Sequence, residues 1–250
     1  MKKLIAGNWK MNCSLDDAKG LIADIINGIH QQDYLREGCE FLVCPPYIYL
    51  PTIRHAALNH GLLSFGAQDC SAEDNGAFTG DISASMLRGS ECQYVICGHS
   101  ERREYHKEND ALVKAKAQKI VDNNMIAIIC VGESETQREF GQALQTVLAQ
   151  VEKCLPDGAT AKNIVIAYEP VWAIGTGKTA SNEDIAEMHN AIREKLKEKL
   201  AEGANIRILY GGSVKPENAG DILNIQNVDG ALIGGASLQA ESFLGIAQAV

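Results

Sequence analysis

Short apolar runs alternate along this chain with longer segments in which apolar residues recur every three or four positions. The runs are residues 4–6, 41–44, 62–67, 94–97, 125–131, 164–168, 206–210 and 231–233. They are apolar almost throughout rather than alternately apolar and polar. That pattern predicts parallel strands buried on both faces. Between them lie helix candidates. Residues 110–123 form one, with Asn109 or Asp110 available as its cap. Residues 136–155 form another, ending before Pro156. Residues 181–200 carry Ile185, Met188, Ile192, Leu196 and Leu200 on one face. The opposite face bears Glu183, Glu187, Glu194, Lys197 and Glu198, a solvated surface on which Glu194 and Lys197 are close enough to pair.

Eight strand-then-helix units in 250 residues match a (β/α)8 barrel, an α/β fold of eight parallel strands ringed by helices. An open doubly wound sheet is the alternative. No G-x-G-x-x-G turn follows the first strand, which weakens a dinucleotide-binding reading. No Pro/Gly/Ser-rich linker divides the chain, so residues 1–250 read as a single barrel domain. In such a barrel the active site lies at the C-terminal ends of the strands. Those ends read, in order, Asn8 and Lys10, Pro45, Gln68, His99, Gly132-Glu133, Glu169, Gly211-Gly212 and Gly234-Gly235.

The sixth end is the most informative. An apolar run delivers Glu169, and Pro170, Val171, Trp172, Ala173 and Ile174 lead from it into Gly175-Thr176-Gly177-Lys178. Alone, Glu169 reads as a solvated strand-end carboxylate. Followed by a hinged loop, it reads as a base under a lid, which suits proton abstraction from carbon because the intermediate must be hidden from water. His99 precedes what looks like a helix start at Ser100. The partial positive charge of a helix N-terminus disfavours imidazolium, so a neutral ring donating a hydrogen bond fits there. Lys10 sits just past the first strand, with Glu101 as a possible charge partner. The glycine pairs after the last two strands permit tight turns. They also let backbone N–H groups approach an anion, with Ser213 beside one pair and Ser237 able to open a short helix behind the other. Residues 66–81 form a long loop with an exposed-looking Phe78, suited to docking into a second subunit.

Composition narrows the partners. The net charge of −9, with no basic run beyond three residues, argues against nucleic acid. No stretch approaches the roughly 18 apolar residues of a membrane span. The start of the chain lacks a signal-peptide core. Eight scattered cysteines form no C-x-x-C pair and read as reduced, mostly buried thiols. These points predict a cytoplasmic protein, leave room for a small anionic substrate, and show no cluster of metal ligands.

Five segments together resemble the triosephosphate isomerase family. They are Asn8-Trp9-Lys10-Met11-Asn12, Gly98-His99-Ser100-Glu101-Arg102-Arg103, residues 167–178, Tyr210-Gly211-Gly212-Ser213 and Gly230-Ala231-Leu232-Ile233-Gly234-Gly235. The resemblance spans essentially the whole chain. It implies interconversion of dihydroxyacetone phosphate and glyceraldehyde 3-phosphate, with no metal or organic cofactor. It also implies a homodimer in which Phe78 and Thr79 approach the partner. Glu169 is then the base, and His99 polarises the carbonyl. Lys10 and Asn8 stabilise the enediolate, and Gly175, Ser213, Gly234 and Gly235 hold phosphate. The family is itself a standard example of a glutamate base with a neutral histidine and a closing loop, so those roles are carried over by resemblance. Two rivals stay open at this level: another phosphosugar enzyme on the same barrel, and a phosphosugar-binding protein without catalysis.

Overall fold

The computed structural model describes residues 1–175 and 178–250. Its strands are β1 (Lys3–Asn8), β2 (Cys39–Cys44), β3 (Ser64–Ala67), β4 (Tyr94–Cys97), β5 (Ile126–Val131), β6 (Ile164–Tyr168), β7 (Arg207–Tyr210) and β8 (Gly230–Ile233). They form a closed barrel in chain order. All pairings are parallel, and β8 closes onto β1 with Leu4 opposite Gly230 and Gly7 opposite Ile233.

Closure explains why the strands are apolar on both faces. One set of side chains, including Leu4, Ala6, Leu42, Ile96, Ile128, Val165, Leu209 and Leu232, fills the barrel interior. The intervening residues, including Ile5, Val43, Val95, Ile129, Ile166 and Ile208, pack outward against the helices. The helix Leu15–Gln31 shows the outer layer's logic. Ala18, Leu21, Ile22, Ile25, Ile26 and Ile29 form its buried stripe, and a Ser14–Asp17 capping box starts it. Each buried isoleucine contributes about 1.5–3 kcal/mol of transfer free energy.

The strands match the apolar runs to within a residue or two at most ends. The helix expected over 110–123 is Asp110–Asp122, with Asn109 accepting a hydrogen bond from the Leu112 N–H at 2.9 Å. The helix expected over 181–200 is Asn182–Lys199, begun by a Ser181–Asp184 capping box. Glu194 and Lys197 pair across it at 2.7 Å. The single helix expected over 136–155 is instead two, Glu135–Glu139 and Ala143–Cys154. Gly141 takes a left-handed conformation (φ 69°) that turns the chain between them.

Candidate active site

The barrel's two-residue alternation carries function past the strand ends. Leu4 and Ala6 point inward, so Asn8 does too; Val165 and Ala167 point inward, so Glu169 follows them over the mouth. The same parity brings Gly211 after Leu209 and Gly234 after Leu232. All four line one cavity of 250 Å³ with Lys10, His99, Ile174, Gly175, Gly212, Ser213, Lys215 and Gly235. His99 reaches it by a different route. Cys97 packs outward, and Gly98 at φ 68° turns the chain so that the next side chain enters the mouth.

Lys10 is held in a left-handed backbone conformation (φ 51°), costly for a residue with a side chain. Its surroundings enforce it. The Asn8 Oδ1 accepts the Lys10 N–H at 3.0 Å, and Gln68 Nε2 donates to the Lys10 carbonyl at 2.8 Å and to the Cys44 carbonyl at 2.9 Å. The ammonium that results lies 2.7 Å from Glu101 Oε1, the partner expected from sequence. It also passes beside Gly234, where an added Cβ would stand 3.8 Å from Nζ.

Glu169 is buried, with Oε1 2.9 Å from His99 Nε2 and Oε2 accepting the Ser100 N–H at 2.9 Å. Burial pushes its carboxyl pKa up, but His99, the Ser100 N–H and Lys10 together outweigh burial and hold it below the ordinary value. Burial likewise pulls the His99 imidazole down, and the Glu169 carboxylate overrides that, leaving it raised. His99 caps the helix Ser100–Tyr105, its Nδ1 accepting the Glu101 N–H at 3.2 Å. With Nδ1 so occupied, the ring proton resides on Nε2, facing Glu169 and the cavity. A helix N-terminus on its own favours a neutral ring; the adjoining Glu169 carboxylate opposes it.

The helix after His99 is braced from beneath. Arg102 Nε lies 2.8 Å from Asp69 and 2.6 Å from Glu108, and Lys116 Nζ bridges the same two carboxylates at 2.8 and 2.6 Å. Arg103 donates to the Gly98 carbonyl at 2.9 Å and the Cys130 carbonyl at 3.3 Å, joining the ends of β4 and β5.

The stem of the expected lid is tied down by one buried carboxylate. Glu133 Oε1 accepts the Trp172 Nε1–H at 2.8 Å and the Tyr168 hydroxyl at 3.1 Å, and its carbonyl accepts the Val171 N–H at 3.2 Å. Arg138 lies over the Trp172 ring, 4.9 Å from its centroid. Ser213 Oγ donates to the Ala173 carbonyl at 3.1 Å, linking the stem to the turn after β7. Of the lid residues, Ile174 and Gly175 line the cavity, whereas Pro170, Val171, Trp172 and Ala173 do not. Lys178 pairs with Glu135. Thr176 and Gly177, also assigned to the lid, lie outside the described residues.

Two turns, after β7 and after β8, complete the wall of the cavity. At Gly211, a Cβ would stand 2.9 Å from Glu169 Cγ, so the glycine makes room for the Glu169 side chain. Behind Gly234-Gly235 a short helical turn, Gly235–Leu238, begins at Gly235 rather than at Ser237. Ser237 is buried instead, its hydroxyl donating to the Gly234 carbonyl at 2.7 Å.

The structure therefore gathers Asn8, Lys10, His99, Glu169, Gly175, Ser213, Gly234 and Gly235 around one cavity. Ser100 and Glu101 act from just behind it. Pro45 does not reach it, and Gln68 acts through the Lys10 backbone. Phe78 and Thr79 are exposed on a loop away from the cavity, closed at its base by the Ser71 N–H to Ile82 carbonyl bond. Sequence reasoning named Glu133 only as a rim residue and missed its anchoring role. Its position directly after Gly132 at a strand end was the available signal. Lys215 was also missed, and nothing in its local pattern marks it.

Residues 3–250 match the family model for triosephosphate isomerase. The chain is 49% identical to the triosephosphate isomerase of Afipia carboxidovorans, over 100% of this chain and 98% of that protein. It is 48% identical to that of Xanthobacter flavus, with the same coverage of both. The crystal structure of triosephosphate isomerase from Bartonella henselae superposes with a TM-score of 0.89 at 44% identity, covering 100% of this chain and 99% of that one. These matches span essentially the whole chain, and the chain belongs to the triosephosphate isomerase family.

Proposed function

We propose that this chain interconverts dihydroxyacetone phosphate and glyceraldehyde 3-phosphate by proton transfer through an enediolate. The observation that carries the reading is the convergence of an ionised buried carboxylate, an Nε2–H imidazole and an ammonium on one small cavity walled by glycine turns.

The roles follow from the groups. Glu169 removes the carbon-bound proton beside the carbonyl and returns it to the neighbouring carbon. A base alone accelerates such a step by about 10²–10⁴, so the developing oxyanion needs stabilisation as well. His99 Nε2–H, the Lys10 ammonium and the Asn8 amide supply it. In moving from His99 to the substrate, Glu169 withdraws the charge that raises the imidazole, and burial then favours the neutral ring. His99 is thereby suited to donate a proton to one oxygen and accept one from the other. Gly175, Ser213, Gly234 and Gly235 bind the phosphate, with Lys10 offsetting its charge. Phosphate binding, remote from the reacting carbons, drives the lid over the site. The closed lid protects an enediolate phosphate that would otherwise expel its phosphate.

The reading extends to the assembly. Met11, 95% exposed beside Lys10, and the exposed Phe78 are apolar side chains suited to burial in a homodimer. We read residues 1–250 as one domain and place it in the cytoplasm. All eight cysteines are free, which suits a reducing compartment. Among the described residues no helix is long and apolar enough to cross a membrane.

The test is isomerisation of glyceraldehyde 3-phosphate by the purified chain, coupled to reduction of the product, with Glu169→Gln alongside. Fast turnover by the parent, falling by at least about 10² in the folded variant, is the expected result. A folded parent without turnover overturns the activity, and an active Glu169→Gln variant removes Glu169 as the base.

A further inference from the structure

Far from the catalytic mouth, two imidazoles from different helices face each other. His30 lies in the last turn of the helix Leu15–Gln31, and His60 ends the helix Leu50–His60. These helices run antiparallel to the strands, so their C-terminal ends lie at the end of the barrel opposite the cavity. His30 Nε2 and His60 Nδ1 are 3.4 Å apart, and the rings meet nearly perpendicular, at 78° with centroids 5.5 Å apart. Both residues are exposed. The neighbouring Asn59 turns to His55 instead, at 3.4 Å.

From this geometry we propose that His30 and His60 form a surface clip for a divalent transition cation of zinc's chemistry. A tetrahedral zinc, with Zn–N bonds of about 2.0–2.1 Å, holds its nitrogens about 3.3–3.4 Å apart. The two nitrogens already stand at that separation. Imidazole is the ligand such a cation takes most readily among neutral side chains. Without metal, one of the facing nitrogens carries a proton and donates to the other. Metal binding moves that proton to the outer nitrogen of the same ring, which is open to water, so both facing lone pairs become available without net proton release. Small rotations of the exposed rings aim the lone pairs at one point between the helices. Water completes the coordination sphere. The bound cation fastens the C-terminal ends of two adjacent barrel helices, and it does so away from the lid, the cavity and the loop that carries Phe78.

The test is calorimetric titration of the folded chain with zinc chloride alone near neutral pH, repeated on His30→Asn, His60→Asn, His55→Asn and Cys13→Ser. The last two variants report on the neighbouring histidine and on the one thiol that is not fully buried. The expected result is saturable binding of about one zinc per chain. Loss of either clip residue removes a direct ligand and weakens binding by more than about tenfold, while His55→Asn and Cys13→Ser bind as the parent does. Isomerase turnover of the two clip variants stays at the parent's value, which shows that they fold. Absence of saturable binding at millimolar zinc overturns the proposal. So does binding that survives both His30→Asn and His60→Asn, or that disappears in Cys13→Ser or His55→Asn.

Discussion

A carboxylate that meets an imidazole N–H with one oxygen and a backbone N–H with the other stays ionised even when buried, which is the state of Glu169. The same contact raises His99 against the pull of burial. Replacing Glu169 by Gln removes that charge, and the buried ring next to Lys10 then loses protons more readily. The expected outcome is a His99 that titrates above about 6.5 in the substrate-free parent and below it in the variant, followed by nitrogen NMR of the ring. An unchanged titration would assign the upward shift to something other than Glu169. His189 shows the opposite case. It is fully buried, with Nδ1 3.0 Å from the Asn227 carbonyl, and burial pulls its pKa down to about 4. Between pH 6.5 and about 4 the unfolded chain binds a proton there that the folded chain does not, so stability falls as pH falls through that window. The window corresponds to about 3 kcal/mol. Urea unfolding of His189→Gln should show a correspondingly weaker pH dependence than the parent across the same range; parallel curves would discard the assignment. Both histidines are equally bare as letters in the sequence. Only the position of His99 after a strand end separated them, and the burial of His189 depends on packing between Tyr168 and Tyr210 that lies far apart in the chain.

Among the elements, the lid stem has the clearest division of labour. Glu133, from the end of β5, holds the stem through Trp172 and the Val171 N–H, and Ser213 holds it from the turn after β7. Removing residues 174–177 leaves these anchors and takes away the tip of the proposed lid. The shortened chain should release more inorganic phosphate per isomerisation, because an uncovered enediolate phosphate eliminates. The partition between product and free phosphate measures this, and an unchanged ratio would deny the loop a protective role. The strands themselves were legible in advance, because residues buried on both faces leave uninterrupted apolar runs. The interruption of residues 136–155 differs from the single helix expected there. Residues 135–139 carry no apolar side chain, so the apolar spacing begins only after Gly141, and the break is made by that residue's backbone conformation.

On the scale of the whole molecule, the exposed apolar side chains bear on assembly. Phe78 and Met11 are 46% and 95% exposed. If both are covered in a homodimer, Phe78→Asp places a charge in an apolar contact. The variant should sediment as a monomer at concentrations where the parent is a dimer, with reduced turnover. A parent that is already monomeric would remove the dimer from the proposed function.

The linear chain by itself marked the eight strands, their match to a parallel barrel, and a candidate base, imidazole, ammonium and glycine turns. Each of these depends on local periodicity or on residues adjacent to a strand end, where the two-residue alternation of β structure carries over from one position to the next. Tertiary structure alone decided how those groups act on one another. The charge of Glu169 and His99, the strained backbone of Lys10 held by Gln68, and the anchoring of Trp172 by Glu133 all arise between residues that follow different strands. Electrostatics and hydrogen bonding work over a few ångströms of space, and barrel closure sets those distances between residues 39 to 91 positions apart in the chain.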